Sequence, residues 1–350
     1  MLNNYERIRV HARADSIIRR RWSDTVRANS IKHLYLVNTQ FLVMSTSNNN
    51  NRITFDVTIP PGENYDKAEF RLWLPNELGT LKGVLVAVHG SNFDSRPWVD
   101  QSSWKIFTES CNVEVSESYW QGLALRHGLA LLGCNLTDKS HENMFIEEYC
   151  KVDEGSGQAL LDALMELSEQ SGHPELNNAP LAFWGISAGG QFSYEFACWR
   201  PKRSITFVLN KGGIYYTALA PQAARNVPGI LFTGERDSPF RNGIINGIFS
   251  MNRRANALWA LTVEPNAVHE VARSLEMSEV YFDEVIPLRL PKKHGGPLRP
   301  LSLENGYLGD LKTFTYSPYN EEKVKEGPAA WLPTERTAQA WQAVMTGRPL

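Results

Sequence analysis

The sequence predicts an α/β domain built on an eight-stranded, mostly parallel sheet with helices on both faces. Three observations lead to this class. Short apolar runs alternate with longer segments of helical periodicity from residue 52 onward. Several runs are continuously apolar, as central parallel strands are when both of their faces are covered. One such run, Leu181 to Ile186, is followed at once by a serine flanked by glycines and then by a helix-forming segment.

The strands follow from two kinds of pattern. Residues 52–60 and 68–74 alternate apolar and polar side chains, which predicts two half-buried strands joined as an antiparallel edge. The other predicted strands are apolar runs at 83–88, 129–136, 181–186, 205–209, 229–233 and 259–263. Helices are predicted at 118–127, 158–171, 191–200 and 244–258. Strands and helices alternate, so right-handed crossovers place the helices on both faces of the sheet.

Composition narrows the functional classes. The chain has 350 residues, of which 42% are hydrophobic and 21% are charged, and this is ordinary for a globular protein with a large core. A net charge of −2 gives no electrostatic reason to expect nucleic acid or a membrane surface as a partner. No apolar run approaches the roughly 20 residues that a membrane-spanning helix needs. The four cysteines lack metal-site spacing, so we expect no metal and favour reduced thiols over a disulfide pair.

The sequence divides into three parts. We expect residues 1–44 to be a disordered tail, or an artefact of a start codon placed too early, with translation beginning at Met44. A secretion signal is the lesser alternative because no small-residue cleavage site follows the arginine-rich start, and we expect a cytoplasmic protein. Residues 45–290 form the α/β domain. Residues 291–350 are predicted to be an extension packed on that domain, ending in a helix at 334–346.

The segment Gly185-Ile-Ser187-Ala-Gly189 has the strand–turn–helix setting of a nucleophile elbow. The turn is so tight that side chains two residues before and two residues after the serine would collide with the neighbouring backbone. Strain in this turn holds the serine hydroxyl at the sheet edge, beside the positive end of the next helix. Ser187 is therefore the candidate nucleophile.

A nucleophilic serine needs a base to accept its proton and an acid to orient that base. Asp237 follows the strand at 229–233 and lies where open α/β sheets place their sites, so it is the candidate acid. Glu235 is the alternative acid. His269 lies on the loop after the last strand and is the candidate base. The three side chains occur in the chain order serine, acid, histidine.

The strand at 83–88 is followed by His89-Gly-Ser-Asn92. In this architecture the loop after that strand gives one N–H to the oxyanion, and the residue after the nucleophile gives the other. We assign the two donors to Ser91 and Ala188, with Asn92 as the alternative to Ser91. His89 is expected to shape the turn and to take no part in proton transfer.

Together these motifs resemble those of the α/β-hydrolase superfamily over residues 52–285. The resemblance is carried by H-G-S at 89–91, G-I-S-A-G-G at 185–190, G-E-R-D at 234–237 and His269. It is nearest to the esterases grouped with dienelactone hydrolases and polyhydroxybutyrate-depolymerase-like proteins. The resemblance implies the α/β-hydrolase fold and hydrolysis of small-molecule carboxylic esters through an acyl-enzyme, without a metal or organic cofactor. A thioesterase, a peptidase and a non-catalytic binding scaffold are the alternatives.

The substrate pocket is less defined by the sequence. The segment 212–228 is too short for a large helical cap, so we expect a minimal cap and a pocket formed by loops. The candidate substrate-binding residues are Asn92, Trp98, Trp104, Tyr119, Trp120 and Tyr215. The alternative is that the aromatic residues pack the loop after residue 92 against the core.

Overall fold

The computed structural model describes residues 53–75, 79–91, 93–100, 119–141, 146–322 and 327–350. The predictions for residues 1–44 lie outside the described residues. So do the predictions for Asn92 and Trp104.

One sheet carries the eight predicted strands in the order β1-β2-β4-β3-β5-β6-β7-β8. They are β1 (Ile53–Ile59), β2 (Lys67–Leu74), β3 (Gly83–Val88), β4 (Leu129–Thr137), β5 (Leu181–Ile186), β6 (Ser204–Asn210), β7 (Gly229–Gly234) and β8 (Trp259–Glu264). β2 runs antiparallel to both of its neighbours, and the remaining pairs are parallel. This order and the reversed second strand are those of the α/β-hydrolase fold. The predicted fold class and the antiparallel edge are confirmed.

Helices cover both faces of the sheet. They are α1 (Tyr119–His127), α2 (Ser156–Ser171), α3 (Ala188–Trp199), α4 (Gln222–Arg225), α5 (Pro239–Arg254), α6 (Ser274–Arg289) and α7 (Glu335–Met345). Along β3, Val84 and Val86 pack in one core with α2, α3 and α5, whereas Leu85 and Ala87 pack in a second core with α1, α6 and α7. Alternate side chains of the same strand therefore enter opposite layers, which is why the strand sequence is apolar throughout.

Besides the short α4, which was not predicted, two helices differ clearly from the prediction. α5 begins at Pro239, five residues earlier than predicted, because proline suits the first turn of a helix, where its missing N–H costs no hydrogen bond. α6 was not predicted. It contacts β6, α1 and α7, so its apolar residues are spread around the helix and leave no single stripe. Pro287 lies inside it and weakens the helical signal further.

The described residues after 290 form a small sheet and a helix beside β8. The strands β9 (Tyr307–Gly309), β10 (Tyr316–Pro318) and β11 (Ala330–Leu332) pair antiparallel in the order β10-β9-β11. From α7, the Trp341 indole N–H donates to the Leu261 carbonyl oxygen at 2.7 Å. The Val263 N–H donates to the Met345 sulfur at 3.0 Å. Side chains of α7 thus form hydrogen bonds with backbone groups on the outer edge of β8. Without them, these groups could pair with another strand.

The segment between β6 and β7 is described throughout, and α4 is the one helix within it. Four residues of helix leave the carboxyl end of the sheet without a helical cap over this crossover. None of the helices in the described ranges has the length and apolar character to cross a membrane.

Candidate active site

The turn between β5 and α3 holds Ser187 in a strained conformation. Its backbone has φ 56° and ψ −123°, a region that residues with a β-carbon rarely occupy. A β-carbon at position 185 would lie 2.0 Å from the Gly189 carbonyl oxygen, and one at position 189 would lie 2.1 Å from the carbonyl oxygen of Val88. A β-carbon at either position would clash with the backbone, so both residues must be glycine. The Ser187 N–H is bound by the Asn210 carbonyl oxygen at 2.8 Å, which fixes the turn to β6.

Ser187, His269 and Asp237 form one hydrogen-bonded chain. The Ser187 Oγ lies 3.1 Å from His269 Nε2, and His269 Nδ1 lies 3.1 Å from Asp237 Oδ2. These residues follow β5, β8 and β7, whose carboxyl ends meet at one edge of the sheet. The Asp237 side chain is 3% exposed, whereas that of His269 is 36% exposed. The acid is thus buried behind the base, and the serine end of the chain faces solvent.

Asp237 is held as a carboxylate by three donors. Besides His269, Oδ1 accepts from the Ser238 N–H at 2.6 Å and from Arg241 Nη1 at 2.5 Å. Burial raises the pKa of Asp237, but the His269 hydrogen bond, the Arg241 charge and the Ser238 N–H together bring it below its ordinary value. An ionised Asp237 only accepts hydrogen bonds, so it selects the His269 tautomer that carries its proton on Nδ1. The lone pair on Nε2 then points to Ser187.

The alternative acid lies elsewhere. Glu235 Oε2 accepts from the Asn266 N–H at 2.7 Å and so braces the loop that carries His269. The His269 Nδ1 contact is instead made by Asp237. Arg241, in contrast, was not singled out from the sequence, although an arginine four residues after the acid is a spacing that brings the two side chains together.

His89, Gly90 and Ser91 lie against the elbow. A β-carbon at position 90 would be 3.1 Å from Ser187 Cβ and 3.7 Å from its Oγ, so this backbone runs directly beside the hydroxyl. The Gly90 N–H donates to His89 Nδ1 at 2.6 Å, and the His89 ring stacks on Phe93 at 4.6 Å. Burial lowers the pKa of His89 to about 3, so the ring is neutral and supports the turn. Ala188 is the first residue of α3, and its role and that of Ser91 as oxyanion donors remain predictions.

Three of the aromatic candidates are buried. Trp98, Tyr119 and Trp120 are buried in the core that contains α1 and α6. Trp98 stacks on Trp120 with ring centroids 6.2 Å apart, and the Tyr119 hydroxyl donates to the Leu275 carbonyl oxygen at 2.8 Å. Their role as substrate-binding residues stays a prediction. The burial agrees with the alternative, packing against the core, because a large apolar surface gains more from burial than from exposure at a loop.

Tyr215 stays a candidate. It is half-buried after β6, and its ring meets that of Tyr194 edge-on at 5.3 Å. Its hydroxyl oxygen is buried without a hydrogen-bond partner in the described residues. The chain at Tyr215 and Tyr216 is anchored by buried Glu195 of α3, whose Oε1 accepts from the Tyr216 N–H at 2.7 Å. This anchor was not visible in the sequence, where Glu195 is one polar residue within a mainly apolar helix.

Comparisons with known proteins give partial alignments with solved structures. The sequence matches no protein-family model and no curated protein. Among solved structures, a ferulic acid esterase aligns with a TM-score of 0.45 at 13% identity, over 69% of this chain and 98% of that one. The poly(aspartic acid) hydrolase-1 of Sphingomonas sp. KT-1 aligns with a TM-score of 0.44 at 17% identity, over 67% and 98% of the two chains. The fold assignment itself rests on the strand order and directions given above.

Proposed function

We propose that the protein is a serine hydrolase that cleaves carboxylic esters through an acyl-enzyme. The observation that carries this proposal is the continuous chain from Ser187 Oγ through His269 to Asp237, with both contacts at 3.1 Å. The strained elbow supports it, because a serine held at φ 56° costs stability that a purely structural turn would avoid with glycine.

The acylation step gives each of the three side chains a distinct role. His269 Nε2 accepts the Ser187 proton as Oγ attacks the ester carbonyl carbon. Asp237 stabilises the resulting imidazolium and keeps its orientation, since its buried carboxylate lies 3.1 Å from Nδ1. His269 then donates the proton to the leaving alcohol, and the acyl group stays on Ser187. A water molecule, activated by the same imidazole, releases the acid and restores the serine.

The tetrahedral oxyanion needs donors on the side of Ser187 opposite the base. We assign these to the backbone N–H groups of Ser91 and Ala188. Ala188 opens α3, and its N–H belongs to the first turn, whose N–H groups have no partner within the helix. A β-carbon at position 90 would lie 3.7 Å from the Ser187 Oγ, and this closeness supports the assignment of the next residue, Ser91, as a donor. Donors of this kind each account for about 10²–10³ in turnover.

The proposal is tested with Ser187→Ala on p-nitrophenyl acetate and butyrate. We expect kcat/KM to fall by at least about 10³-fold, because the residue that forms the acyl-enzyme is removed. The exposed Ser302→Ala is the matched control and keeps wild-type turnover. Far-ultraviolet circular dichroism verifies that both variants are folded. Undiminished turnover by a folded Ser187→Ala variant would rule out this mechanism, and an inert wild-type protein would favour a binding scaffold.

A further inference from the structure

A buried ion pair lies beneath the candidate triad. Lys211 directly follows β6 and Glu264 ends β8, and their side chains are 0% and 2% exposed. The Lys211 ammonium donates to Glu264 Oε2, and also to Asn210 Oδ1 at 3.0 Å. Both charged groups of a pair buried this deeply have lost their hydration.

The pair contacts the chain segments that carry all three triad residues. The carbonyl oxygen of Asn210, next to Lys211, binds the N–H of Ser187 at 2.8 Å. A β-carbon at position 234 would lie 3.0 Å from Lys211 Cε, so the lysine stem packs against the end of β7, three residues before Asp237. The carbonyl oxygen of Glu264 accepts from the N–H groups of Glu235 at 3.0 Å and Ala267 at 3.4 Å.

Stability alone gives little reason for this arrangement. Lys211 has φ 51°, a left-handed conformation that is costly for a residue with a β-carbon, and it is followed by two glycines that would adopt it freely. Well-packed apolar residues in place of a buried ion pair are often neutral or stabilising. The chain thus carries backbone strain and a desolvation cost at the point where β6, β7 and β8 end together.

We propose that Lys211 and Glu264 are a positioning pair, which fixes the spacing of these strand ends so that His269 and Asp237 stay aligned with Ser187. The inference rests on the proposed function. An ion pair has a preferred geometry, whereas apolar contacts allow the strand ends to slide. A displacement of about 1 Å at a catalytic group can cost on the order of 10² in rate, so a small change in spacing is enough.

The test is the double variant Lys211→Met, Glu264→Leu, which removes both charges and keeps similar volumes. We expect its urea midpoint to equal or exceed that of the wild type, because no charge is left unpaired. We expect kcat to fall about 10- to 100-fold while KM changes by less than about threefold, since neither residue contacts substrate. The exposed pair Arg336 and Glu284, 3.0 Å apart, gives the matched control R336M/E284L, in which neither quantity changes.

A stable double variant with wild-type kcat would overturn the proposal and leave the pair a purely structural element. If the double variant does not fold, Glu264→Gln and Glu264→Leu are compared at a temperature where their circular dichroism equals that of the wild type. Glutamine keeps an acceptor for Lys211, so we expect the leucine variant to have at least about fivefold lower kcat than the glutamine variant. Equal kcat values would also overturn the proposal. A wild-type protein without esterase activity would instead refute the proposed function, so the two failures are distinguishable.

Discussion

Replacement of Asp237 by asparagine gives the most detailed prediction about the site. Oδ1 accepts from two donors, Ser238 N–H at 2.6 Å and Arg241 at 2.5 Å, whereas Oδ2 lies 3.1 Å from His269 Nδ1. An asparagine carbonyl oxygen will therefore stay on the side of the two donors, and its NH₂ group will face His269 Nδ1. The amide donates a hydrogen bond there, so Nδ1 must accept and the ring proton moves to Nε2.

A proton on Nε2 points at the Ser187 hydroxyl and prevents the imidazole from accepting the serine proton. The same substitution in a serine-protease triad lowers kcat by about 10⁴-fold for this reason, and we expect a loss of similar size here. The assay is the steady-state hydrolysis of p-nitrophenyl butyrate. Part of the loss should reverse at high pH, where hydroxide can deprotonate the serine without the imidazole.

Glu235→Gln is the matched control, because Glu235 was the alternative acid and its carboxylate binds the Asn266 N–H. The glutamine carbonyl oxygen can accept the same hydrogen bond, so we expect activity within about threefold of the wild type. A folded Asp237→Asn variant with activity within tenfold of wild type would refute the tautomer argument. A severe loss in Glu235→Gln with little change in Asp237→Asn would reverse the assignment of the acid.

Three further predictions concern the elbow, the pH dependence and the C-terminal extension. Gly189→Ala places a β-carbon 2.1 Å from a β3 carbonyl oxygen, so we expect ester hydrolysis to fall by at least about 10²-fold with a lower melting temperature; wild-type kinetics would show that the turn relaxes. The lowered pKa of Asp237 means that its ionisation stabilises the fold above its unfolded-state pKa, and that this stabilisation is lost as pH falls through the folded value. Arg241→Gln removes the charge that lowers this pKa and brings the folded value closer to the unfolded one, so its urea midpoint should fall by less, and over a narrower pH range, than that of the wild type; coincident pH curves would refute this. Trp341→Phe leaves the buried Leu261 carbonyl without its donor, and we expect a loss of about 1–3 kcal/mol in unfolding free energy by urea titration, whereas an unchanged midpoint would show that the edge of β8 needs no such bond.

The sheet was predictable because each of its strands can be recognised from the pattern of apolar residues within the strand itself. β3 and β5 have the predicted bounds, since both faces of these strands are buried and every side chain in them is apolar or glycine. α6 was missed because it is covered on several sides and contains Pro287. The three strands of the C-terminal sheet are three residues each, too short for any alternation to be recognised.

For the site, the order of motifs along the chain was enough to select the three side chains that meet, because parallel strands bring their carboxyl ends to one edge. The residues around these three side chains were harder to predict from the sequence. The stretch Asn210-Lys-Gly-Gly213 resembles an ordinary turn, and nothing in it indicates that the lysine is buried and paired with Glu264, 53 residues later. Trp98 and Trp120 are residue types typical of a binding site, yet they are buried as core residues are, and the sequence does not separate these two roles.

The most direct test of the account is to treat the folded protein with a fluorophosphonate and to locate the adduct by peptide mass spectrometry. A serine activated by an aligned imidazole attacks phosphorus, whereas an ordinary surface hydroxyl does not. The account predicts one stoichiometric adduct, on Ser187. A folded protein that stays unlabelled, or that carries the adduct on a different residue, would contradict it.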